Sequence, residues 1–496
     1  MSTDVVTMQK IVSLAKRRGF VYQSSEIYGG LRSSYDYGPM GVELKRNLMN
    51  EWWRAMVHSR EDIVGLDASI VMHPQVWRSS GHLSSFSDPL VDCKVCGERF
   101  RADKVPPTEE GTAVELTFAD KGRAKAALEK VQQLAGDDVT VERQGKALRG
   151  VKAGDRGYVC PNCGSPYLSD ERQFNLMFRT FLGPVDPVGD VVQAVQDAVE
   201  AGQDPRAAAD KALNESSVYL RPETAQAMFV QFANVLQSTS MKVPFGIAQM
   251  GKSFRNEVTA EHFIFRSVEF EQMEMEYFVP PGEGPTWLEY WKERRMDWWS
   301  TYLRGDNLRL REHGAGELAH YSDGCFDVEY QFPWGWDELE GIASRTDYDL
   351  NAHTQGSGKK LLYFDPEAEN PETGKKGWRY MPHVIEPAAG ATRGVLAVLC
   401  DAYDEEPADA DGKGARTVLR LHPRLAPIKA GILPLVKKNG MPEKAREIVE
   451  RFLDAGINAK YDAQHAIGKR YARHDEIGTP YCLTVDGETM NDDTVT

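Results

Sequence analysis

Apolar residues recur along the chain with two spacings, and each spacing predicts a different kind of element. Leu44, Leu48, Trp52 and Met56 fall at every fourth position between residues 41 and 56, which predicts an amphipathic helix. Around residues 246–257 and 263–278 apolar and polar residues alternate instead, which predicts two antiparallel strands joined by a short loop.

The second of these strands is rich in charge. Alternation places Met273, Met275 and Tyr277 on one face and predicts that the other carries Arg266, Phe270, Gln272 and Glu274. Carboxylates are depleted in strands, and such departures from local preference tend to mark functional sites. A solvated face with ion pairs is the alternative. Two arginines and an aromatic ring are interleaved here: Arg255, Arg266 and Phe270. This combination favours a binding site in which the guanidiniums bind a polyphosphate and the ring stacks on a base.

The last part of the chain alternates between the two patterns. Strands at 432–436, 458–461 and 481–485 separate helices at 441–453 and 467–475, which predicts a small α/β domain. A surface loop at 405–412 precedes it. Two polar stretches, 103–156 with a helix near 123–134 and the helical stretch 184–214, are interpreted as peripheral insertions.

Composition describes a multidomain globular protein. The 496 residues are 41% hydrophobic and 27% charged, which excludes wholesale disorder and a fibre. A net charge of −15 argues against a protein that coats nucleic acid, although residues 421–496 hold eleven Lys and Arg against eleven Asp and Glu. There is no signal-peptide pattern and no apolar run long enough for a membrane span, so we expect a cytoplasmic protein without membrane contact.

Four of the seven cysteines form two knuckles, Cys93-x-x-Cys96 and Cys160-x-x-Cys163, each followed by glycine. Two such turns can supply the four thiolates of a structural zinc site. The gap between the knuckles is longer than the usual spacing of roughly 15–20 residues, so a redox-active thiol pair and ordinary buried cysteines stay open as alternatives. Cys325, Cys400 and Cys482 are interpreted as small buried hydrophobes.

Two motifs carry a resemblance to a known family. Phe254-Arg255-Asn256-Glu257, followed by Arg266-x-x-x-Phe270, resembles motif 2 of class II aminoacyl-tRNA synthetases, and Gly390-Ala391-Thr392-Arg393 resembles motif 3. Residues 24–30, 35–39, 221–226, 270–274, 340–343 and 384–387 are similar to homodimeric glycyl-tRNA synthetases in particular. The resemblance covers nearly the whole chain and is weakest in the two insertions.

The resemblance implies an α+β architecture, an antiparallel sheet flanked by helices. We expect a catalytic domain in two parts, 1–90 with motif 1 and 165–415 with motifs 2 and 3. A zinc-ribbon-like insertion would span 91–164, the helical insertion 184–214, and an anticodon-binding α/β domain 420–496. The apolar stripe of helix 41–56 is then a dimer interface, with plain core as the alternative. The family's last domain normally continues with another strand and helix beyond Thr496.

The implied reaction is ATP-dependent activation of glycine to glycyl-adenylate, followed by transfer to the tRNA for glycine, with Mg²⁺ as cofactor. The resemblance implies an ATP site made by Arg255, Asn256, Glu257, Phe265, Arg266, Phe270, Glu338, Leu339, Gly390 and Arg393. Arg255 would hold the α-phosphate, Arg393 the γ-phosphate, and Phe270 would stack on adenine. These two arginines are the predicted catalytic residues, since the attack needs charge stabilisation rather than a protein nucleophile.

The implied glycine site consists of Arg101, Glu223, Phe270, Glu271, Gln272, Glu274, Arg345, Glu386, Ala388 and Gly390. Its carboxylates suit the ammonium of glycine, Arg345 would order them, and a small pocket excludes larger amino acids. Many relatives have Ser and Asp where this chain has Ala388 and Thr392, which puts a hydroxyl contact to glycine in doubt.

Two other functions are compatible with such a fold. A synthetase-like nucleic-acid-binding protein without activity is disfavoured because Arg255, Phe270, Glu338 and Arg393 are all retained. A class II enzyme for threonine, proline or histidine is the other. A threonyl pocket would need a metal, and Cys325 or Cys400 with His320 or His383 offers no convincing ligand set.

Overall fold

The computed structural model of the chain describes residues 6–136, 140–154, 157–184, 186–257, 262–314, 316–319, 322–407 and 416–496. It divides into two compact units. The first consists of Met1–Ser80, Arg179–Phe254 and His262–Thr496, and the second of Gly81–Phe178 and Arg255–Glu261. Among the described residues, no helix is both long enough and apolar enough to cross a membrane.

The α-helices of the described residues are α1 Met8–Arg18, α2 Pro39–Trp53, α3 Pro74–Ser79, α4 His82–Ser85, α5 Lys121–Ala135, α6 Pro187–Glu200, α7 Pro205–Ser216, α8 Ala225–Thr239, α9 Gly284–Tyr302, α10 Tyr348–Ser357, α11 Ala391–Ala402, α12 Met441–Asp454, α13 Ile467–Glu476 and α14 Thr489–Asp492.

The strands are β1 Val21–Gln23, β2 Tyr35–Tyr37, β3 Ile63–Gly65, β4 Val71–Met72, β5 Ser87–Asp92, β6 Arg99–Arg101, β7 Ala113–Thr117, β8 Glu142–Gln144, β9 Ala147–Lys152, β10 Arg172–Asn175, β11 Arg179–Phe181, β12 Ser217–Leu220, β13 Phe245–Phe254, β14 Glu269–Val279, β15 Leu308–Glu312, β16 Gly324–Phe332, β17 Gly335–Thr346, β18 Tyr363–Glu369, β19 Lys376–Tyr380, β20 His383–Gly390, β21 Tyr403–Glu406, β22 Arg416–Leu419, β23 Ala430–Pro434, β24 Ala459–Tyr461 and β25 Tyr481–Val485.

A seven-stranded sheet forms the centre of the first unit, in the order β15-β16-β17-β20-β14-β13-β3. All its neighbouring strands are antiparallel except β13 and β3, which run parallel. The predicted fold class, a sheet flanked by helices with a C-terminal α/β domain, is confirmed, and the sheet is mixed rather than purely antiparallel.

Each face of this sheet is covered by an apolar cluster. On one face Met273, Met275 and Tyr277 pack with residues of α2, α9 and α11, and on the other Phe245, Ile247 and Phe278 pack with α8. The stripe of α2 and the turn after it, Leu44, Leu48, Trp52 and Met56, is at most 2% exposed within the chain itself. Its four side chains are therefore core residues, each contributing roughly 1.5–3 kcal/mol by burial.

The predicted strand 263–278 is too long at its N-terminal end. Residues Phe263–Phe265 form a short 3-10 turn, with φ of 56° at His262 and 60° at Phe263, and the strand begins at Glu269. Phe265 packs its ring edge-on against Phe332 and Trp334, which replaces strand pairing as the source of stability. Arg266 therefore precedes the strand, and the prediction that it shares a strand face with Glu274 was wrong.

The C-terminal part contains the predicted alternation of elements. Its sheet has the parallel order β24-β23-β25, and α12 and α13 are the intervening helices. The predicted surface loop at 405–412 begins inside strand β21, which ends at Glu406, and residues 408–415 lie outside the described residues.

Both predicted insertions contain helices. Residues 187–216 form a helical hairpin, α6 and α7, whose N-termini are capped by the carboxylates of Asp186 and Asp204. In the second unit, α5 packs on β8 and β9 through Val131 and Leu148. The second unit runs from residue 81 to 178 and includes 255–261, so the domain boundary predicted at 91–164 stays a prediction.

Candidate active site

The predicted glycine residue Glu274 is a buried carboxylate in the middle of the sheet. On β14 it lies opposite Ala388 of β20, which in turn lies opposite Gly341 of β17. The backbone N–H of Thr224 donates to Glu274 at 2.8 Å, and the Thr224 hydroxyl and the Gln272 amide also donate to this carboxylate. Three donors fix its position. Ala388 supplies no hydroxyl here.

A guanidinium connects two further carboxylates to this region. Arg345 donates from Nη1 to both oxygens of Glu386 at 2.9 and 3.0 Å, and from Nε and Nη2 to Asp349 at 2.8 and 3.2 Å. The Gln226 amide then donates to Asp349 at 2.8 Å and to Glu223 at 3.0 Å. Burial raises the pKa of Glu386, and the Arg345 charge opposes that rise.

Glu276 is a further carboxyl group of this site that the sequence did not identify as a ligand. The register of β14 and β20 aligns it with Glu386, its side chain is completely buried, and neither of its oxygens accepts a hydrogen bond within the described part of the chain. Burial and repulsion from Glu386 raise its pKa well above the usual range, and Arg345 opposes this. Glu276 therefore keeps its proton to higher pH than an exposed glutamate does.

Two other groups were missed, Asp349 and Thr224. Asp349 lies more than a hundred residues along the chain from Gln226 and reaches it only through tertiary folding. Thr224 stands in the segment 221–226 that carried the resemblance, which is the only signal that could have found it.

Glu271 does not join these carboxylates. Glu271 lies two residues before Met273 on β14, so its side chain points to the same face of the sheet as Met273 and to the opposite face from Glu274. There it pairs with Lys45 of α2, whose ammonium also lies 4.2 Å from the centre of the Tyr37 ring. Gln272 and Gly390 lie opposite each other on the neighbouring strands β14 and β20, next to the pair formed by Glu274 and Ala388.

The predicted triphosphate arginine Arg393 lies in the first turn of α11. Its guanidinium covers the Phe265 ring at 4.5 Å, and Nη1 lies 3.1 Å from the Glu338 carboxylate and 3.3 Å from the Glu338 carbonyl. The N-terminus of a helix adds partial positive charge, which suits an anion. Leu339, next to Glu338, is completely buried and serves as packing.

Arg266 precedes β14, and Phe270 is the second residue of that strand. Both side chains are half-buried, and Phe270 lies opposite Ser253 of β13. A half-exposed ring at a strand end can offer one face to a base, as the predicted stacking requires.

The remaining predicted ligands belong to the second unit. The Arg255 guanidinium lies 5.3 Å from the centre of the Phe86 ring, and the backbone N–H of Asn256 donates to Leu176 at 2.8 Å. Arg101 pairs with Asp88 at 3.1 Å and with both oxygens of Asp103, and these contacts, together with Glu257, raise its pKa.

The four knuckle cysteines come together in the second unit. Sγ of Cys93 lies 3.7 Å from Sγ of Cys163, and Sγ of Cys96 lies 3.7 Å from Sγ of Cys160. A tetrahedron with Zn–S bonds of about 2.3 Å requires S···S separations of about 3.8 Å, so the spacing fits zinc. Gly97 and Gly164 follow the knuckles with φ of 79° and 75°, and their N–H groups close each turn.

Comparison with solved structures identifies the fold. The chain resembles prolyl-tRNA synthetase of Giardia lamblia in complex with prolyl-adenylate, with a TM-score of 0.56 and 13% identity over 100% of this chain and 72% of that one. The Cryptosporidium parvum prolyl-tRNA synthetase gives a TM-score of 0.52 and 11% identity, over 98% and 71%. An anticodon binding domain model matches residues 429–496. The chain therefore has the class II aminoacyl-tRNA synthetase fold.

Sequence relatives narrow this class to one family. The chain is 45% identical to glycine–tRNA ligase of Treponema denticola, over 100% of this chain and 93% of the relative. It is 46% identical to glycine–tRNA ligase of Clostridium kluyveri, over 99% and 93%. The chain belongs to the glycine–tRNA ligase family, and the predicted resemblance is confirmed.

Proposed function

We propose that the chain joins glycine to tRNA in two steps. A carboxylate oxygen of glycine attacks the α-phosphorus of ATP, the bond to pyrophosphate breaks, and glycyl-adenylate forms. A hydroxyl of the terminal ribose of tRNA then attacks the glycyl carbonyl carbon and releases AMP. Full-length identity of 45% to glycine–tRNA ligases is the observation that carries this function.

The charge balance of the pocket supports glycine as the amino acid. The network described above contains five carboxyl groups: Glu223, Glu274, Glu276, Asp349 and Glu386. Two guanidiniums oppose their charge: Arg345, which pairs with Asp349 and Glu386, and the buried Arg221, whose charge acts on Glu274. Even with Glu276 neutral the network has an excess of negative charge, which favours an ammonium group. We assign Glu223, Glu274 and Glu386 to the ammonium of glycine.

The arginines act on the phosphates. Arg393, at the start of α11, is assigned to the γ-phosphate, and Arg255 to the α-phosphate, where negative charge develops during the attack. Phe270 is assigned to the adenine ring. Mg²⁺ would be held by Glu338 and the phosphates and would neutralise phosphate charge. Glu338 fits this role because its side chain is 45% exposed and already lies beside Arg393.

The C-terminal domain is assigned to the tRNA. A groove lined by Lys437, Arg446, Lys460 and Tyr461 combines positive charge with a ring, and the Arg446 guanidinium lies 4.2 Å from the centre of the Tyr461 ring. Arg473 and Asp462 of the same groove form an ion pair with each other. Such surfaces bind single-stranded bases and phosphates.

Two of the eleven lysines and arginines in residues 421–496 have structural roles instead. Arg470 is 4% exposed and donates to the carbonyls of Pro434 and His465, and Lys429 donates to the carbonyls of Pro423 and Arg424. Lys437, Lys438 and Lys469 are exposed.

Zinc, dimerisation and location complete the proposal. Cys93, Cys96, Cys160 and Cys163 would hold one structural Zn²⁺, as their spacing supports. A homodimer is supported by the family resemblance and by the exposed apolar side chains Ile27, Tyr28 and Leu31, which are 88%, 87% and 60% exposed. We also infer a cytoplasmic location, where translation enzymes work.

The test of the glycine pocket is Glu274→Gln in glycine-dependent ATP–pyrophosphate exchange. Removing a buried charge partner typically costs 2–5 kcal/mol, so kcat/KM for glycine should fall by roughly thirtyfold or more while KM for ATP changes little. Glu269→Gln, on the exposed end of the same strand, is the matched control and should retain exchange. Equal exchange activity of the two variants would show that Glu274 does not bind glycine.

A further inference from the structure

A second group of potential metal ligands lies on the catalytic sheet, apart from the knuckles. Cys325 and Asp327 are alternate residues of β16 and share a face, and His313 directly follows the neighbouring strand β15. The backbone N–H of His313 donates to the Cys325 carbonyl at 3.0 Å, which continues the ladder and aligns the two residues. The imidazole Nε2 lies 2.7 Å from Oδ2 of Asp327, and one ligand atom from each of the three side chains lies within 4.8 Å of the others.

A hydrogen-bonded His–Asp pair alone is most often structural. Here a thiol converges on the same point, so nitrogen, sulfur and carboxylate oxygen are all available, which are the donors that Zn²⁺ binds in proteins. Asp327 is 7% exposed, so its carboxylate is largely shielded from water. His313 and Cys325 are half-buried, which leaves a path by which an ion can enter. Three protein ligands leave a fourth tetrahedral position for water or another ligand.

The charges around the group favour a cation. The carboxylate of Glu338 acts on both Asp327 and Cys325, and Glu386 also acts on Cys325. Arg311 is the opposing charge, with Nη1 at 3.7 Å from Asp327, but its Nη2 donates to Glu317 at 2.5 Å, so part of its charge is already compensated.

Strand register connects this group to the glycine pocket. Cys325 lies opposite Ala343, which lies opposite Glu386, and Asp327 lies opposite Gly341, which lies opposite Ala388. All are on one face, and two strand spacings of about 4.8 Å separate the group from Glu386 by roughly 10 Å. A divalent ion would therefore reduce the negative potential that we assign to binding the ammonium of glycine.

We propose that His313, Cys325 and Asp327 form a binding site for a divalent transition-metal ion, with Zn²⁺ the best match, and that its occupancy weakens binding of glycine. From the sequence, Cys325 or Cys400 with His320 or His383 offered no convincing ligand set, and His320 lies outside the described residues. The second part of the proposal rests on the proposed glycine site. The first part does not.

The site is tested by metal binding to the full-length protein, with Co²⁺ as the probe because its thiolate complexes absorb light. After removal of metal by a chelator, the parent protein should bind two Co²⁺ per chain, one at the knuckles and one here. Cys325→Ser and, separately, His313→Gln should bind one. Cys160→Ser, which breaks the knuckle site, should keep the ion bound by Cys325, with a spectrum of one thiolate rather than four.

Cys482→Ser is the matched control, a half-buried cysteine of β25 outside both groups, and should bind two. Circular dichroism establishes that each variant is folded, and the pair of separate variants covers the case in which one fails to fold. The same Co²⁺ stoichiometry and spectrum in the parent and in folded Cys325→Ser or His313→Gln would overturn the metal site.

The regulatory part is tested by glycine-dependent exchange with added Zn²⁺. KM for glycine should rise several-fold in the parent and remain constant in Cys325→Ser. A rise of equal size in both proteins would overturn regulation through this site while leaving the metal-binding result intact. Absence of glycine-dependent exchange in the parent would instead contradict the proposed function.

Discussion

Replacing the buried carboxyl Glu276 with glutamine should make the protein more stable at neutral pH. The folded-state pKa of Glu276 is raised by burial and by Glu386, so the folded protein keeps a proton that the unfolded chain has lost. Between the ordinary glutamate pKa of about 4.3 and the raised value, this group makes stability fall by about 1.4 kcal/mol for each pH unit. Glutamine has nearly the same shape and no charge, so Glu276→Gln removes this loss.

The magnitude follows from the same slope. The loss of stability caused by Glu276 grows with pH across the window between its two pKa values, and burying a glutamine amide with incomplete hydrogen bonding offsets about 1–3 kcal/mol of the gain from removing it. We therefore expect a net gain in stability at pH 7 that shrinks as the pH falls towards the ordinary glutamate pKa.

The assay is the difference in Tm between variant and parent, measured at several values between pH 5 and pH 8. Glu269→Gln is the control, because this exposed carboxylate forms a surface pair with Lys252 and its removal should change stability by at most about 1 kcal/mol. A Tm difference for Glu276→Gln that does not grow with pH, or a variant less stable at every pH, would refute the conclusion that folding raises the pKa of Glu276.

Three further predictions concern the other parts of the account. Arg255→Ala or Arg393→Ala should lower glycine-dependent exchange by roughly a hundredfold or more, as loss of one electrostatic donor typically does, and near-normal rates in both would contradict the phosphate assignment. Elemental analysis after Cys160→Ser should find one Zn²⁺ fewer per chain than in the parent, and unchanged zinc would contradict the four-thiolate site. Replacing Lys437, Lys438 and Lys469 together with alanine should weaken tRNA charging and its salt dependence without changing exchange, whereas replacing the exposed Lys359 and Lys360 should change neither.

Substitutions test the role of the C-terminal domain in tRNA binding better than deletion of that domain would. Removing everything after Arg420 would take away Leu421, Leu425 and Ala426, which are buried in the core of the first unit. Asn47 of α2 also donates to the carbonyls of Leu425 and Ala426 at 3.1 Å. Such a truncation would destabilise the first unit, which contains the catalytic sheet.

Local pattern was sufficient for elements whose own side chains determine their structure. The stripe of α2 and the alternation of strands and helices after residue 430 are of this kind, and both are confirmed. Pattern failed at Phe263–Phe265, where three apolar residues that favour a strand form a turn because Phe332 and Trp334 pack against Phe265. Tertiary packing outweighs local preference there.

The site was predictable where motifs could be matched and unpredictable where folding decides which groups meet. Burial of Glu276 and its alignment with Glu386 depend on pairing between β14 and β20, which are separated by more than a hundred residues. Arg470 and Lys429 show the reverse case, since a basic side chain counted as surface charge turned out to bind backbone carbonyls. The sequence shows which side chains carry charge, but strand register and burial determine which groups each charge contacts.

The most direct test of the central claim is ATP–pyrophosphate exchange with the purified chain, screened over all twenty amino acids and followed by charging of tRNA with the amino acid that works. We predict exchange with glycine alone and transfer of glycine to the tRNA that reads glycine codons. Exchange that depends on threonine, proline or histidine, or no exchange with any amino acid in a folded protein, would contradict the account.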